Sequence, residues 1–337
     1  MADQGKGMSD LWKRLRFVFV AILVYRLGTH IPIPGIDPDR LSSLFEQNQG
    51  TLLDMFNLFS GGALERMSIF ALNVVPYISS AIIMQLFSNS IPYLQELKKD
   101  GQAGRNQITQ YTRYGTVVLA FIQASALAVT LSSSGLAYAP GAAFFASAVF
   151  SVVAGTVFLM WLGEQISERG IGNGISLIIA TSILTGIPGA IGQALEQSRQ
   201  GDLNILLLLA IAVLAMVVIA VVVFIERGQR RITVNYAQRQ QGRKLMQAQS
   251  SHLPFKVNMA GVIPAIFAST FLLFPASLAS WFGQSEGTSF LQTASLALTP
   301  GQPLYILVFS ALIISFCFIW LALTFNTREV SDNLKRS

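Results

Sequence analysis

Residues 204–225, NILLLLAIAVLAMVVIAVVVFI, carry no charged side chain from end to end. A membrane-spanning helix needs about 20 mostly apolar residues. It must be helical because the hydrocarbon layer offers its backbone amides no other partner. Seven further stretches meet the same requirement: 17–34, 69–91, 115–133, 142–163, 174–192, 257–280 and 303–325. Composition agrees, with 52% hydrophobic and 12% charged residues and a mean hydropathy of +0.54, where soluble domains are about a quarter charged. The sequence predicts an all-α polytopic membrane protein. The first stretch follows Lys13, Arg14 and Arg16 but runs through Tyr25 and Arg26 into HIPIPG without a small-residue cleavage site. It is therefore expected to stay in the protein as a span rather than be removed as a signal peptide.

Lys and Arg placement sets the orientation, because cytoplasmic loops hold the excess. An even number of spans puts both ends on one side. With the N-terminus cytoplasmic, the inner segments hold 19 of the 23 basic residues and the outer ones three, Arg40, Arg66 and Arg199. Arg26 remains, inside the first span, where it would snorkel or find a polar partner.

The spans also lack particular chemistry. One cysteine, Cys317, and two distant histidines, His30 and His252, leave no disulfide or Cys/His metal cluster to propose. All 17 acidic residues fall in loops or at span ends, with Glu164 and Glu226 nearest the membrane. Ion- or proton-coupled transporters use intramembrane acids or histidines as relays. An intramembrane hydrolase needs a nucleophile with a base beside it, and Ser79, Ser80 and Ser176 have none adjacent in sequence. An inverted-repeat secondary transporter remains the alternative reading. It is kept open by an internal echo: VVPYI (74–78) and VIPAI (262–266) share a proline flanked two residues away by a β-branched residue and by Ile. The two stand on spans that run in opposite directions, as inverted repeats with interrupted helices do, and such repeats place a site at their interface.

Two loops stand out. ERGIGNGISLII (168–179) reads as a tight cytoplasmic turn built on glycine, after which Ile175 and Ile179 share a helix face. The longer loop 226–256 groups Arg227, Arg230 and Arg231, then Arg239, Arg243 and Lys244, around an alternating ITVNY that suggests a strand. Its length and charge suit docking of an anionic partner such as RNA or an acidic protein.

Longer motifs follow one another in order: IPIPGID (31–37), MFNLFSGGAL (55–64), QYTRYGT (110–116), GEQISERGIGNGIS (163–176), ERGQRRITVNYA (226–237), KVNMAGVIPAIFAS (256–269), PGQPLY (300–305) and NTREVSDNLK (326–335). On these the chain resembles, across its whole length, the SecY family, large subunits of the bacterial protein-conducting channel. The resemblance implies an inverted-repeat helical bundle with eight of the family's ten transmembrane helices. Residues 1–192 would be the N-terminal half with helices 1–5, and 193–337 an incomplete C-terminal half with helices 6–8. The family continues beyond the position of Ser337 through a second cytoplasmic docking loop and two more helices.

The resemblance also implies roles. Residues 52–66 would be the plug, with Met55, Phe56, Asn57, Leu58, Phe59, Ser60, Gly61, Gly62, Ala63 and Leu64 at its centre. It would be a short helix too polar to span, loosened in its packing by Ser60, Gly61 and Gly62. Val74, Ile78, Ile179 and Ile266 would form the aliphatic ring at the pore waist, and a side gate would open between helices two/three and seven/eight. Arg230, Arg231, Arg239, Arg243 and Lys244 would dock the SecA ATPase or ribosomal RNA. SecE and SecG would be partner subunits, signal sequences and nascent polypeptides the cargo, and membrane lipids the surroundings. The expected function is translocation of unfolded polypeptide across the bacterial inner membrane, or sideways into it, with no catalytic residue, cofactor or metal.

Overall fold

The structure is a computed structural model that describes residues 3–37, 41, 57, 60–133, 135–139, 141–201, 204–235, 240–241, 244–245, 250–269, 271–272, 302–324 and 331. The chain divides into two compact units, Met1–Ala190 with Ser269–Ser310, and Ile191–Ala268 with Ala311–Ser337.

In the first unit, α1 (Asp3–Gly28) stops six residues before the expected end of its span. The Thr29 hydroxyl donates to the Arg26 carbonyl at 2.7 Å, and His30 Nδ1 lies 2.9 Å from the same oxygen. These side chains take over a last-turn acceptor, and Pro32 and Pro34 cannot supply the amides that a longer helix needs. The chain runs on extended instead: Ile33 N donates to Met67 O at 2.8 Å and Ile69 N to Ile31 O at 3.0 Å.

The second span likewise starts late, as α2 (Val75–Ser90). Residues 69–74, expected to be helical, form tight turns in which Asn73 takes a left-handed φ of 49°. Pro76 then sits in the first turn of α2, where no amide donor is required. Ile91, extended ahead of another proline, ends α2, and α3 (Pro92–Lys99) follows.

α4 (Gln102–Ser133) buries Thr112, Thr116, Ala120, Ala124 and Ala128, one small residue per turn on a single face. Small side chains let helices approach where lipid gives no hydrophobic push. α4 packs on both α2 and α5 (Ala142–Arg169), and it is joined to α5 by Arg113 and Glu164. The guanidinium forks onto the carboxylate, Nε to Oε1 at 2.8 Å and Nη2 to Oε2 at 2.9 Å; bidentate pairing fixes orientation as well as distance. The predicted glycine turn follows. Gly172 has φ 73°, the Ser167 hydroxyl accepts from Gly174 N at 2.8 Å, and α6 (Gly174–Gln200) begins.

The second unit contains α7 (Ile205–Arg227), capped by Asn204, whose side chain accepts from Leu206 N. No residue of α7 is buried, so its apolar surface suits hydrocarbon on every side. β1 (Gln229–Asn235) pairs antiparallel with β4 (Ser250–Lys256), Ile232 opposite Leu253, so the alternating ITVNY is largely a strand. Between them in sequence, β2 (Gln240–Gln241) pairs with β3 (Lys244–Leu245). Residues 263–269 are helical, and the Phe267 ring meets Phe316 and Trp320 of α8 (Pro303–Thr324) edge-on at 5.7 and 5.6 Å.

Among the described residues, α4, α5, α6, α7 and α8 are long and apolar enough to cross a membrane, and Val75–Ser88 in α2 is apolar but shorter. Part of the expected span 257–280 lies outside the described residues.

Candidate functional site

Of the expected plug, Asn57 and residues 60–66 are described; Met55, Phe56, Leu58 and Phe59 lie outside the described residues. The visible part closes on itself. Gly62 N donates to Asn57 O, Ser60 Oγ donates to Asn57 O and accepts from Leu64 N, and Asn57 holds Glu65 by its amide at 3.1 Å and its carboxylate at 2.9 Å. These internal bonds make it a small rigid body. It ends where Met67 and Ile69 are bonded to residues 31–33. A segment with its own hydrogen bonds can change position without leaving many backbone groups unpaired.

Among the described residues, three side chains bond this body to the rest of the unit. Arg26 Nη1 donates to Gly61 O at 3.1 Å, so the single basic residue of the first span finds its polar partner in the plug. Tyr25 Oη lies 3.3 Å from Ser60 O, and His30 Nε2 takes a bond from Arg66 Nη1 at 3.2 Å. Ala63 and Leu64 are buried, and burying a leucine side chain contributes about 1.5–3 kcal/mol.

Gly61 departs from the expectation. Gly61, at φ 67°, does not loosen the seat; a Cβ there would stand 3.0 Å from Ser182 Cα and 3.1 Å from its carbonyl. The absent side chain lets the plug backbone lie directly on α6, in a left-handed conformation that glycine adopts freely.

An apolar cluster joins Ala63 of this segment to Tyr25, Phe70, Val74, Leu159, Leu162, Ile166 and Ile178, with Ile78 and Ile179 packed against it. Tyr25 stacks on Phe70, and Phe70 on Phe158, at 6.1 and 5.8 Å. Three of the four expected ring residues, Val74, Ile78 and Ile179, are thus brought together with a plug residue. Ile266, half-buried on the helical stretch 263–269, belongs to the second unit.

Arg230 and Arg231 are exposed on β1. Lys244 lies in β3, its side chain outside the described residues, as are Arg239 and Arg243.

Sequence reasoning missed Tyr25, Asn73 and Ser182 as functional positions. Ser182 is fully buried; its hydroxyl is 2.6 Å from Tyr25 Oη, accepts from Asn73 Nδ2 at 3.1 Å and reaches Ile178 O at 2.9 Å. The available signal was three polar side chains in or beside apolar stretches, which need partners within the bundle.

These features define a class: a polytopic helical membrane protein in which a short, self-bonded segment is seated on an aliphatic cluster of the bundle. Comparison with known proteins makes it particular. The SecY family profile matches residues 68–337. The protein translocase subunit SecY of Pseudomonas aeruginosa is 62% identical over all of this chain and 78% of its own length. Two solved structures share the fold. A protein-conducting channel matches with a TM-score of 0.64, at 17% identity over 94% of this chain and 73% of its own. A SecY protein, whose plug domain is described as stabilising the closed state and maintaining a membrane seal, matches with a TM-score of 0.55, at 20% identity over 80% of this chain and 58% of its own. The chain belongs to the SecY family.

Proposed function

We propose that this chain is the polypeptide-conducting subunit of a protein translocase. It passes unfolded chains across the bacterial inner membrane and releases apolar segments sideways into lipid. The observation that carries this reading is the shared cluster of Ala63 with Val74, Ile78 and Ile179, a removable segment resting on aliphatic side chains that offer a passing chain no specific hydrogen bond. Val74, Ile78, Ile179 and Ile266 are read as the constriction, drawn from halves 1–192 and 193–337, and residues 52–66 as its plug. Both ends of the chain face the cytoplasm, as the basic residues direct. The chain contributes a conduit and no catalytic group; SecA or the translating ribosome supplies the drive, and SecE and SecG complete the assembly.

Site-specific cross-linking tests the reading. With Cys317→Ser and Ile78→Cys, a secretory precursor stalled in transit should form a disulfide with position 78 through a cysteine in its translocating stretch, whereas Phe224→Cys on exposed α7 should not react. Equal reaction at the two positions would remove Ile78 from the path.

Docking is tested by charge reversal. Arg243→Glu with Lys244→Glu should weaken ribosome binding, and the unaltered chain should lose affinity steeply as salt rises, since RNA releases counterions when basic residues engage it. Equal binding at moderate salt would show that the loop is not the dock.

A further inference from the structure

The two edges of the β1–β4 hairpin are not alike. Among the described residues this sheet holds two strands, so each strand has one edge with no neighbour beside it. Val257 N donates to Gly228 O at 3.0 Å, which makes 228 and 257 a hydrogen-bonded pair. Along an antiparallel ladder such pairs alternate with pairs that turn their amides and carbonyls outward. In the observed register 230 with 255 and 232 with 253 therefore face each other. Residues 229, 231, 233 and 235 of β1 and 250, 252, 254 and 256 of β4 face away. The outward row of β4 is broken at Pro254, which has no amide to give. The outward row of β1 is complete. Proline is one of the guards that edge strands carry against unwanted pairing, and here one edge has it and the other does not.

The flanking side chains add a chemistry to the open edge. On one face of the hairpin Ile232 is 45% exposed and stands opposite half-buried Leu253. On the other face Arg231 and Thr233 are exposed, and Lys256 is exposed on the same side of β4. Residues 227–256 hold seven Lys or Arg and no Asp or Glu. The hairpin is also fixed at its base. Asn258 Oδ1 accepts from Gly261 N at 3.1 Å, and Asn258 Nδ2 donates to Glu226 Oε2 at the end of α7 at 3.4 Å. A strand ordered in advance spares its ligand that cost.

We propose that β1 is an acceptor edge: an extended segment of a partner protein, alternating apolar and acidic residues, pairs with residues 229–235 as a third, antiparallel strand. Main-chain bonds supply the affinity and alternate side chains the selectivity. The incoming residues whose amides face β1 share the face of Arg231 and are the acidic ones; those between them lie beside Ile232 and are apolar. An RNA has no row of amides and carbonyls to offer, so this contact differs in kind from the one assigned to Arg243 and Lys244. A second copy of the hairpin would bring Arg230 and Arg231 close to their own like, which is unfavourable across strands. Pairing at β1 goes beyond the role of a conduit and does not depend on it.

The test uses the full chain in the assembled translocase and an end-blocked, fluorescein-labelled octapeptide alternating valine and glutamate, with binding read by fluorescence anisotropy. Methylating the glutamate nitrogens should weaken binding on the order of tenfold or more, because several main-chain bonds are lost. Methylating the valine nitrogens, which lie on the far edge, should leave it unchanged. Thr233→Pro removes an outward donor of β1 without touching a bond to β4, and should weaken binding as much as glutamate methylation does. His252→Pro makes the same change on the edge that Pro254 already blocks, and should have no effect. Arg231→Glu should shift preference to an octapeptide alternating valine and lysine. The methylated peptides decide on the unaltered protein, so a variant that fails to fold leaves the test standing. Equal binding of the two methylated peptides, or a loss confined to the valine-methylated one, overturns the proposal. So does an oligouridylate that binds where the octapeptide does not, which would make the edge a phosphate surface, or a dimer that Thr233→Pro dissolves while no peptide binds, which would give the edge to a second copy.

Discussion

Replacing Ile78, Ile179 and Ile266 together with Asn is expected to raise the resting ion conductance of the assembled channel on the order of tenfold or more. A passage wide enough for an extended polypeptide stays tight to ions only if its waist is narrow and apolar, because hydrophobic constrictions exclude water and gate by dewetting. Each isoleucine side chain is worth about 1.5–3 kcal/mol on leaving water, and 1.4 kcal/mol corresponds to a factor of ten in a wet-to-dry balance. In the proposed constriction, three polar replacements therefore outweigh the dry state. They should also admit precursors with poor signal sequences, since less is lost on opening. Deleting residues 55–64 should act in the same direction but more weakly, because the ring remains. The measurement is single-channel current in planar bilayers. A triple variant as tight as the parent, with the plug deleted as well, would place the seal elsewhere.

A large effect on folding is expected from adding one methyl group. Gly155 lies on the buried face of α5, where a Cβ would overlap the carbonyl oxygen of Ile69 and crowd the Phe70 ring. Backbone cannot rotate aside as a side chain can, so Gly155→Ala must push α5 away from the turns that carry Val74 into place. Overpacking of this kind costs about 1–3 kcal/mol, at times more. Gly189, inside α6, has nothing within 4 Å of its Cβ position. There Gly→Ala should be neutral or stabilising by up to about 1 kcal/mol, from helix propensity alone. Thermal unfolding in detergent, followed by protease resistance, should show the midpoint falling for position 155 and holding or rising for position 189. Matching shifts would mean that the close approach of α5 to residue 69 does not matter to the fold.

The side-chain order by itself determined the class and the course of this protein. Hydrocarbon tolerates so few backbone solutions that a run such as 204–225 admits one structure, and its helix is found at Ile205–Arg227. Turn chemistry was equally legible where glycine is required, as at Gly172, and alternation marked β1. The same rules misplaced two helix boundaries. Largely apolar residues 69–74 look helical in isolation, yet their backbone is bent by bonds to the Ser68 and Phe70 carbonyls and by the bond from Ile69 N to Ile31 O. Hydropathy is blind to such competition.

The segments proposed as ring and plug stand out as motifs, through the echo of VVPYI in VIPAI and the family likeness of MFNLFSGGAL, but the cluster that joins Ala63 to Val74, Ile78 and Ile179 does not. Gly61 reads as slack in the sequence and proves to lie close against α6, because only a second helix reveals what a missing Cβ makes room for. Tyr25, Ser60, Asn73 and Ser182 are spread over 157 residues. Nothing local distinguishes them from other polar residues at span edges. Tertiary structure alone decided that they meet, and it did so by burial: once packed away from water, each hydroxyl had to find its partner among the others.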